Sequence, residues 1–331
     1  MGERAMKTFV TGATGFLGSH LVDRLLERGD AVACLVRARS NLRWLEGKSV
    51  ELVRGELGGE PGTDLLRALA DADYVYHTAG AIMGIRREDY VRANAGGTGF
   101  ICEALMKAGA RPRRFLLVSS IAAAGPGRGE EPIREDQHRP VNWYGESKLE
   151  AERIALEHGA RFPVTIVRPP PVYGPRDTGM LTMFRGIKLG LVLTFRRVTR
   201  TNFVFVRDLV RGTVLAAESE KTAGEILNVG DRENMGTDEA MRRIAAVLEK
   251  KTTSLRLPLT LGYLAAGASE LRMRMRGKPS IFNWQKMAEL GETNWMMDIG
   301  KIRKLTGYEP ETGIEEGGRR TYGWYIDEGW L

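Results

Sequence analysis

Two cysteines in 331 residues are too few for a disulfide-built scaffold. Cys34 and Cys102 also lack the spacing of a metal site. Two buried thiols in a reducing cytoplasm, and no bound metal, are therefore expected. No stretch reaches the roughly 18 consecutive apolar residues of a membrane-spanning helix. The opening Met-Gly-Glu-Arg-Ala-Met-Lys has no apolar segment ahead of a small-residue cleavage site, so secretion is not expected. Internal repeats and low-complexity tracts are missing as well. Acidic residues are the minority charge: the net charge is +7. The basic residues are dispersed and form no nucleic-acid module, so a nucleic-acid partner is not expected. What remains, with 43% hydrophobic and 27% charged residues, is an ordinary globular chain. It is long enough for one large domain, or a large domain with a smaller lobe.

The most informative stretch is Thr11-Gly12-Ala13-Thr14-Gly15-Phe16-Leu17-Gly18. It follows a short apolar run at 6–10, which reads as a buried strand. It opens a segment at 14–28 whose Leu17, Leu21, Val22, Leu25 and Leu26 share one helical face, with Gly29 as a stop. Strand, glycine turn and helix in that order make an anion site. Gly12 permits a tight turn, and Gly15 lets the backbone approach a pyrophosphate. Gly18 lets the helix lie against the strand, and free N–H groups at the helix start face the phosphate. A second apolar run at 31–36 ends in Arg37, with no acidic residue before Glu46. At that place in a dinucleotide fold an acid suits a ribose 2′-hydroxyl and an arginine a 2′-phosphate, which favours NADP over NAD.

Further strands are expected at 50–53, 74–77, 114–119 and 164–167, and helices at 64–70, 89–108 and 144–158. Strand and helix alternate over about 170 residues, which predicts a parallel sheet with helices on both faces. The second half is less regular. Pro169-Pro170-Pro171 follows the sixth strand, and 208–217 and 238–248 read as helices. The apolar stretch 257–271, followed by Arg272-Met273-Arg274-Met275-Arg276, reads as a helix capping a pocket in preference to one lying on a membrane. Met83, Ile85, Met180, Met183, Phe184 and Phe195 are candidates to line an apolar pocket.

Tyr144-Gly145-Glu146-Ser147-Lys148 puts Tyr144 and Lys148 four residues apart, on one helical face. A phenol titrates near about 10. A neighbouring ammonium and a cationic nicotinamide ring would both lower that value and make the tyrosine a usable acid or base. Upstream, a strand ends in Val118-Ser119-Ser120, where a hydroxyl can hold a carbonyl or alcohol oxygen.

Taken together these residues resemble the extended short-chain dehydrogenase/reductase family. The likeness runs over nearly the whole chain, through Thr11 to Gly18, His77-Thr78-Ala79-Gly80, Asn94 in its Ala-Asn-Ala-Gly-Gly context, Val118-Ser119-Ser120, Tyr144 to Lys148 and Arg168 to Pro175. Val206-Arg207-Asp208-Leu209 and Gly307-Tyr308-Glu309-Pro310 are similar to later landmarks of the family. The resemblance implies a Rossmann fold, a doubly wound parallel sheet with residues 1–170 as the dinucleotide-binding core. Residues 171–331 would form mainly a smaller C-terminal substrate-binding lobe, with segments around 201–235 returning to the core. It also implies roles. Tyr144 would be the general acid/base, Lys148 would lower its pKa and hold the nicotinamide ribose, Ser120 rather than Ser119 would orient the substrate oxygen, and Asn94 would stand near the active site. Cofactor contacts would come from Gly12, Thr14, Gly15, Phe16, Leu17, Gly18, Arg37, Glu56, Leu57, His77, Ala79, Gly80, Val118, Tyr144, Lys148, Pro171 and Val172. A homodimer, paired through helices 89–108 and 144–158, is implied too.

Departures from the family pattern narrow the choice. Ile121 and Ala122 stand where dehydratases of the family carry an Asp-Glu pair, which disfavours dehydration. Pro171 stands where nucleotide-sugar epimerases commonly carry asparagine, and Thr201 and Asn202 where they use an arginine, although Arg196, Arg197 and Arg200 lie close by. Glu56 replaces the usual aspartate near the adenine. The distal half, including Trp295-Met296-Met297-Asp298, is more similar to the branch holding 3β-hydroxysteroid dehydrogenases and dihydroflavonol reductases. The expected activity is NADP- or NAD-dependent hydride transfer to or from a ketone or secondary alcohol of an apolar small molecule. The alternative is a sugar or nucleotide-sugar epimerase using transient oxidation by a tightly held cofactor. A non-catalytic, cofactor-gated binding protein is a third reading, disfavoured by the complete Ser, Tyr and Lys set.

Overall fold

The computed structural model describes residues 5–197, 199–280 and 282–331; residues 1–4, at the start of the opening read for a leader, lie outside them. The first half runs β1 (Lys7–Thr11), α1 (Phe16–Glu27), β2 (Ala31–Val36), β3 (Val50–Arg54), α2 (Thr63–Ala70), β4 (Tyr74–His77) and α3 (Arg87–Val91). A π-helical turn (Arg92–Gly96) leads to α4 (Gly97–Lys107), β5 (Arg114–Val118), α5 (Ile121–Ala124), α6 (Trp143–Glu157) and β6 (Val164–Arg168). The helix expected at 89–108 is therefore three pieces, because the wide π turn interrupts it at Asn94.

The later elements are β7 (Val172–Tyr173), α7 (Leu181–Lys188), β8 (Leu191–Phe195), β9 (Arg200–Asn202), β10 (Val204–Phe205), α8 (Val206–Glu218), β11 (Ile226–Asn228), β12 (Asn234–Gly236) and α9 (Thr237–Val247). They continue with β13 (Thr253–Leu257), α10 (Leu259–Arg276), α11 (Trp284–Leu290), β14 (Asn294–Trp295), α12 (Gly300–Thr306) and α13 (Ile314–Asp327).

Seven strands form one all-parallel sheet in the order β3-β2-β1-β4-β5-β6-β11. The order reverses between β1 and β4, and ligands of such folds sit beyond the carboxyl ends of the strands at that crevice. Side chains alternate between two faces, and both are dry. Val10, Tyr76, Leu116 and Val118 join Leu21 and Leu25 of α1 and Leu209 and Val210 of α8 on one side. Phe9, Val75, Phe115 and Ile166 join Leu65 of α2, Ile101 of α4 and Ala151 of α6 on the other. Burial on both faces explains the near-continuous apolar strands seen in the sequence. Leu25 and Ile101, fully buried, each contribute about 1.5–3 kcal/mol.

β11 is the strand that 1–170 lacks. It is supplied from the second half and pairs with β6 at Ile226↔Ile166. A separate hydrophobic core of Phe184, Ile187, Val192, Phe203, Phe205, Met241, Ile244 and Tyr325 is built wholly from the second half of the chain. The late landmarks tie lobe to core. The Asp208 carboxylate accepts from the Glu311 and Thr312 N–H groups, and the Tyr308 hydroxyl donates to the Gly230 carbonyl.

Candidate active site

The glycine turn between β1 and α1 is shaped by close approaches. Gly12 has φ +74°, and a Cβ there would meet the Ala79 nitrogen and the Thr78 hydroxyl, each at 2.7 Å. A Cβ on Gly18 would collide with the Gly12 carbonyl. The Thr78 hydroxyl donates to the Thr11 carbonyl (2.7 Å), locking β4 onto the turn. The α1 helix starts at Phe16 with no acidic residue in its first turn and no side-chain cap on its N–H groups, while Gly15 is exposed and Thr14, Phe16 and Leu17 are half-buried. Those free donors and the positive helix end suit a pyrophosphate. Arg37 follows β2 directly and is exposed; its backbone N–H donates to Ser40 Oγ (3.1 Å). Glu56 is exposed, and Leu57 packs on the helix-side core beside Gly97. Pro171, exposed, and Val172, half-buried, follow the carboxyl end of β6.

His77 is wholly buried and shares a hydrogen bond with the Thr11 hydroxyl (2.7 Å). Burial, with the Lys148 charge adding to it, pulls its pKa down to about 3, so the ring is neutral. Gly80 is exposed, and a Cβ there would meet Asn94 Oδ1 at 2.7 Å and Lys148 Nζ at 3.0 Å. A side chain at 80 would thus close the cradle over Lys148. Glycines at the turn, bare N–H groups at α1 and an open path at Gly80 together fit a dinucleotide.

The chemistry-bearing side chains meet where β5 ends and α6 begins. Asn142 caps α6 by accepting from the Gly145 N–H (2.8 Å). One turn of helix then sets Tyr144 and Lys148 on the same face. The Tyr144 phenol is hydrogen-bonded to Ser120. Ser120 also caps α5, accepting from the Ala122 N–H (3.2 Å). Lys148 is buried and donates to the Val118 carbonyl (3.0 Å). Burial draws its pKa down to about 8, against the pull of Glu152. The Tyr144 phenol is pushed the other way, up to about 12, by burial, with the Ser120 hydrogen bond offsetting part of it. The sequence argument expected the Lys148 ammonium and a cationic nicotinamide ring together to lower it. In the protein alone desolvation dominates, and Tyr144 is a protonated donor at neutral pH.

The two serines separate cleanly. Ser119 Oγ donates to Glu152 Oε1 (2.5 Å), and Glu152 is held by Arg168 through Nε (2.8 Å) and Nη2 (2.6 Å). Ser119 is therefore turned away into a buried ionic network, and Ser120 is the one beside Tyr144. Asn94 is also fully engaged. It accepts from the Ala81 N–H (2.8 Å) and donates to the Ala81 carbonyl (3.1 Å) and Ser147 Oγ (2.8 Å). It pins the loop after β4 to α6, and the π turn is what aims it there.

Glu152, Arg168 and Ser147 were not singled out by sequence reasoning. The usable signal was an acid four residues beyond Lys148 on a helix, facing an arginine at the end of a buried strand. Of the six apolar pocket candidates, Met183 and Phe195 line a cavity of about 220 Å³, with Leu193, Leu257, Leu290, Thr194, Arg197, Thr199, Thr237 and Asp238. Phe184 lies instead in the lobe core, Met180 packs against it, and Met83 and Ile85 sit in the β4–α3 loop. Ser120, Tyr144 and Lys148 do not line the cavity; α11 runs between it and the Tyr144 segment, with Leu290 in its wall, the adjacent Glu289 bearing electrostatically on Tyr144, and Gln285 Oε1 accepting from the Trp143 N–H (2.9 Å). Thr201 and Asn202 are buried in β9, where Asn202 holds the Asp231 and Glu233 carbonyls. Among the described residues no cluster of His, Cys, Asp or Glu is arranged to hold a metal ion. Cys34 and Cys102 are buried free thiols, both pushed up to about 12 by burial.

Three comparisons bear on this site. The chain is 32% identical to the ceramide reductase of Caulobacter vibrioides, covering 97% of this chain and 95% of that protein. It is 28% identical to the UDP-glucose 4-epimerase of Vibrio cholerae over 97% and 96%. Among solved structures, UDP-glucuronic acid 4-epimerase from Bacillus cereus, in complex with UDP-glucuronic acid and NAD, superposes with a TM-score of 0.77 at 25% identity, covering 98% of this chain and 100% of that one. Reductases and epimerases thus both share the architecture. Residues 8–230 match the NAD dependent epimerase/dehydratase family, and with the glycine turn, the Tyr144–Lys148 pair and the seven-stranded sheet described above, the chain belongs to that family and is of the extended short-chain dehydrogenase/reductase type.

Proposed function

We propose that this protein is a nicotinamide-dependent reductase or dehydrogenase acting on a ketone or secondary alcohol of an apolar small molecule. The observation that carries the reading is the cavity bordered by α11, half of whose lining residues are the apolar Met183, Leu193, Phe195, Leu257 and Leu290. Such a lining favours an aliphatic or aromatic body over a hydrated sugar. The likeness to a ceramide reductase over nearly the whole chain supports it. Arg37 supports NADP as the cofactor, through charge-assisted hydrogen bonds to a 2′-phosphate.

Held by the Gly12–Gly18 turn and Lys148, a nicotinamide cofactor would supply or accept the hydride. The protein's part is positioning and proton transfer. The Ser120 hydroxyl holds the substrate oxygen next to the Tyr144 phenol. Tyr144, protonated at neutral pH, gives its proton to that oxygen as reduction proceeds. The Lys148 ammonium, partly charged near pH 8, then favours the phenolate left behind. Asn94 and Ser147 keep α6 in register with the loop after β4, so the phenol does not drift. A homodimer formed through α4 and α6 accords with Met106 and Leu156, which stand exposed on those helices.

An epimerase acting on a nucleotide sugar is the second reading, favoured by Arg197 at the cavity wall, a charge able to meet a diphosphate. The test is turnover with NADPH or NADH against long-chain and aromatic ketones and UDP-sugars. Net oxidation of reduced cofactor with an apolar ketone is expected. It should fall about 10²–10⁴-fold in Tyr144→Phe while cofactor binding persists. Epimer interconversion without net cofactor turnover would replace the reductase reading by the second.

A further inference from the structure

We propose that α10 is a docking surface for an anionic lipid bilayer, placed beside the substrate cavity. Its inner side is seated on the protein. Gly262, Ala266 and Met273 are buried, and a Cβ on Gly262 would meet the Phe195 ring and the Met287 methyl within 2.8 Å. Its outer side is apolar as well. Leu261, Leu264, Ala265, Ala268, Leu271 and Met275 are all exposed, Leu264 at 71% and Met275 at 79%. At 3.6 residues per turn they fall within a sector about 120° wide. A soluble helix normally turns polar residues outward, so a contiguous exposed stripe marks a contact surface.

The charges on the same helix identify the occupant. Arg272 lies in the outer sector, Arg276 borders it, and Lys278 stands just beyond the helix, all exposed. The only acid in α10 is Glu270, on the inner side and paired with Arg274 (3.4 Å). An apolar stripe with basic residues and no acid suits the headgroup boundary of an anionic membrane. A second copy fits worse, because an identical face would bring basic residues and no carboxylate to meet Arg272 and Arg276. Among the described residues no helix is long and apolar enough to cross a membrane, so the helix would lie on the surface.

The neighbouring strand continues the apolar surface toward the cavity. β13 runs into α10 through Pro258, and its Leu255 is the register partner of Leu193 on β8. Both leucines are about half exposed, and Leu193 also lines the cavity. An amphipathic substrate held in the bilayer would meet an apolar surface at the cavity wall. This last link rests on the reductase reading; the docking itself does not.

The test is co-sedimentation of the full chain with vesicles of phosphatidylcholine alone and of phosphatidylcholine mixed with phosphatidylglycerol. Pelleting with the mixed vesicles is expected, weaker with the neutral ones and reduced by salt. Leu264→Glu with Leu271→Glu should cut it about tenfold or more, and Arg272→Gln with Arg276→Gln should remove its dependence on the anionic lipid. An unchanged urea midpoint in each pair confirms that the fold is intact; the arginine pair, which adds no charge to the stripe, serves if the leucine pair unfolds. No pelleting above a vesicle-free control, or pelleting that both pairs leave unchanged, overturns the proposal. So does light scattering that shows an oligomer dispersed by the leucine pair without any vesicle binding. Because sedimentation reads no turnover, vesicle binding without ketone reduction would sink the reductase reading and leave this one standing.

Discussion

Removing the Glu152 carboxylate should be among the most damaging single changes in the protein. Glu152 and Arg168 are 2% and 0% exposed at the side chain. Arg168 spends Nε and Nη2 on Glu152, and Nη1 on the Glu135 and Gln137 carbonyls. Glu152→Ala leaves a guanidinium with two donors uncompensated and a buried Ser119 hydroxyl without its acceptor. Breaking a buried pair from one side costs about 3–5 kcal/mol. Against a typical total of about 5–15 kcal/mol, that is a large share of the stability. Equilibrium urea unfolding reads it as a lower midpoint at unchanged slope. Arg168→Met in the same background removes the orphaned charge, so the double variant should recover part of the loss, with a coupling of about 1 kcal/mol or more. Glu152→Gln gives a functional readout: Glu152 raises the Lys148 pKa against burial, so its neutralisation moves Lys148 below about 8. The activity limb that follows Lys148 should then shift to lower pH. A Glu152→Ala cost under about 1 kcal/mol, or strict additivity with Arg168→Met, would refute the reasoning, because the ion pair would then not be holding the core.

Two further outcomes follow from the site. His20 and His77 are held near 4 and 3 by burial, against 6.5 for the free side chain. Below about 6.5 the unfolded chain therefore binds protons that the folded one refuses, and each histidine lowers stability as pH falls toward its folded value, by about 1.4 kcal/mol per pH unit. Buried carboxyls raised by burial, such as Asp177 and Glu135, act in the opposite sense nearer their own range. The check is the urea midpoint between pH 7 and pH 5 in wild type and in His20→Gln, whose slope should be shallower; equal slopes would refute the assignment. Arg37→Asp should lower kcat/KM with NADPH by about 10–100-fold while sparing NADH, as expected for loss of a charge-assisted contact to a 2′-phosphate. An unchanged NADPH to NADH ratio would remove Arg37 from cofactor choice.

The readable part of this protein was the part written in short-range pattern. The glycines of the first turn, the continuous apolar strands and the alternation of strand and helix each lie within a few residues of chain, so the doubly wound sheet was legible from them. So was the pairing of Tyr144 with Lys148, because a helix repeat alone puts them on one face. The interruption at Asn94 was hidden, since a π turn leaves no periodicity of its own. The desolvation of Tyr144 was hidden for a related reason. A sequence shows which charges are near in the chain, whereas desolvation depends on how many other segments close over the group.

What the sequence by itself determined is the sheet, its glycine turn and the placing of Tyr144 and Lys148 on one helical face. All of these follow from residue type and local spacing. The tertiary structure alone decided that Ser119 turns into the Glu152–Arg168 network and Ser120 toward Tyr144. It alone placed α11 and β8 around an apolar cavity, completed the sheet with β11, and left the outer face of α10 bare. Each of these joins segments dozens of residues apart, and their meeting is set by which surfaces pack together.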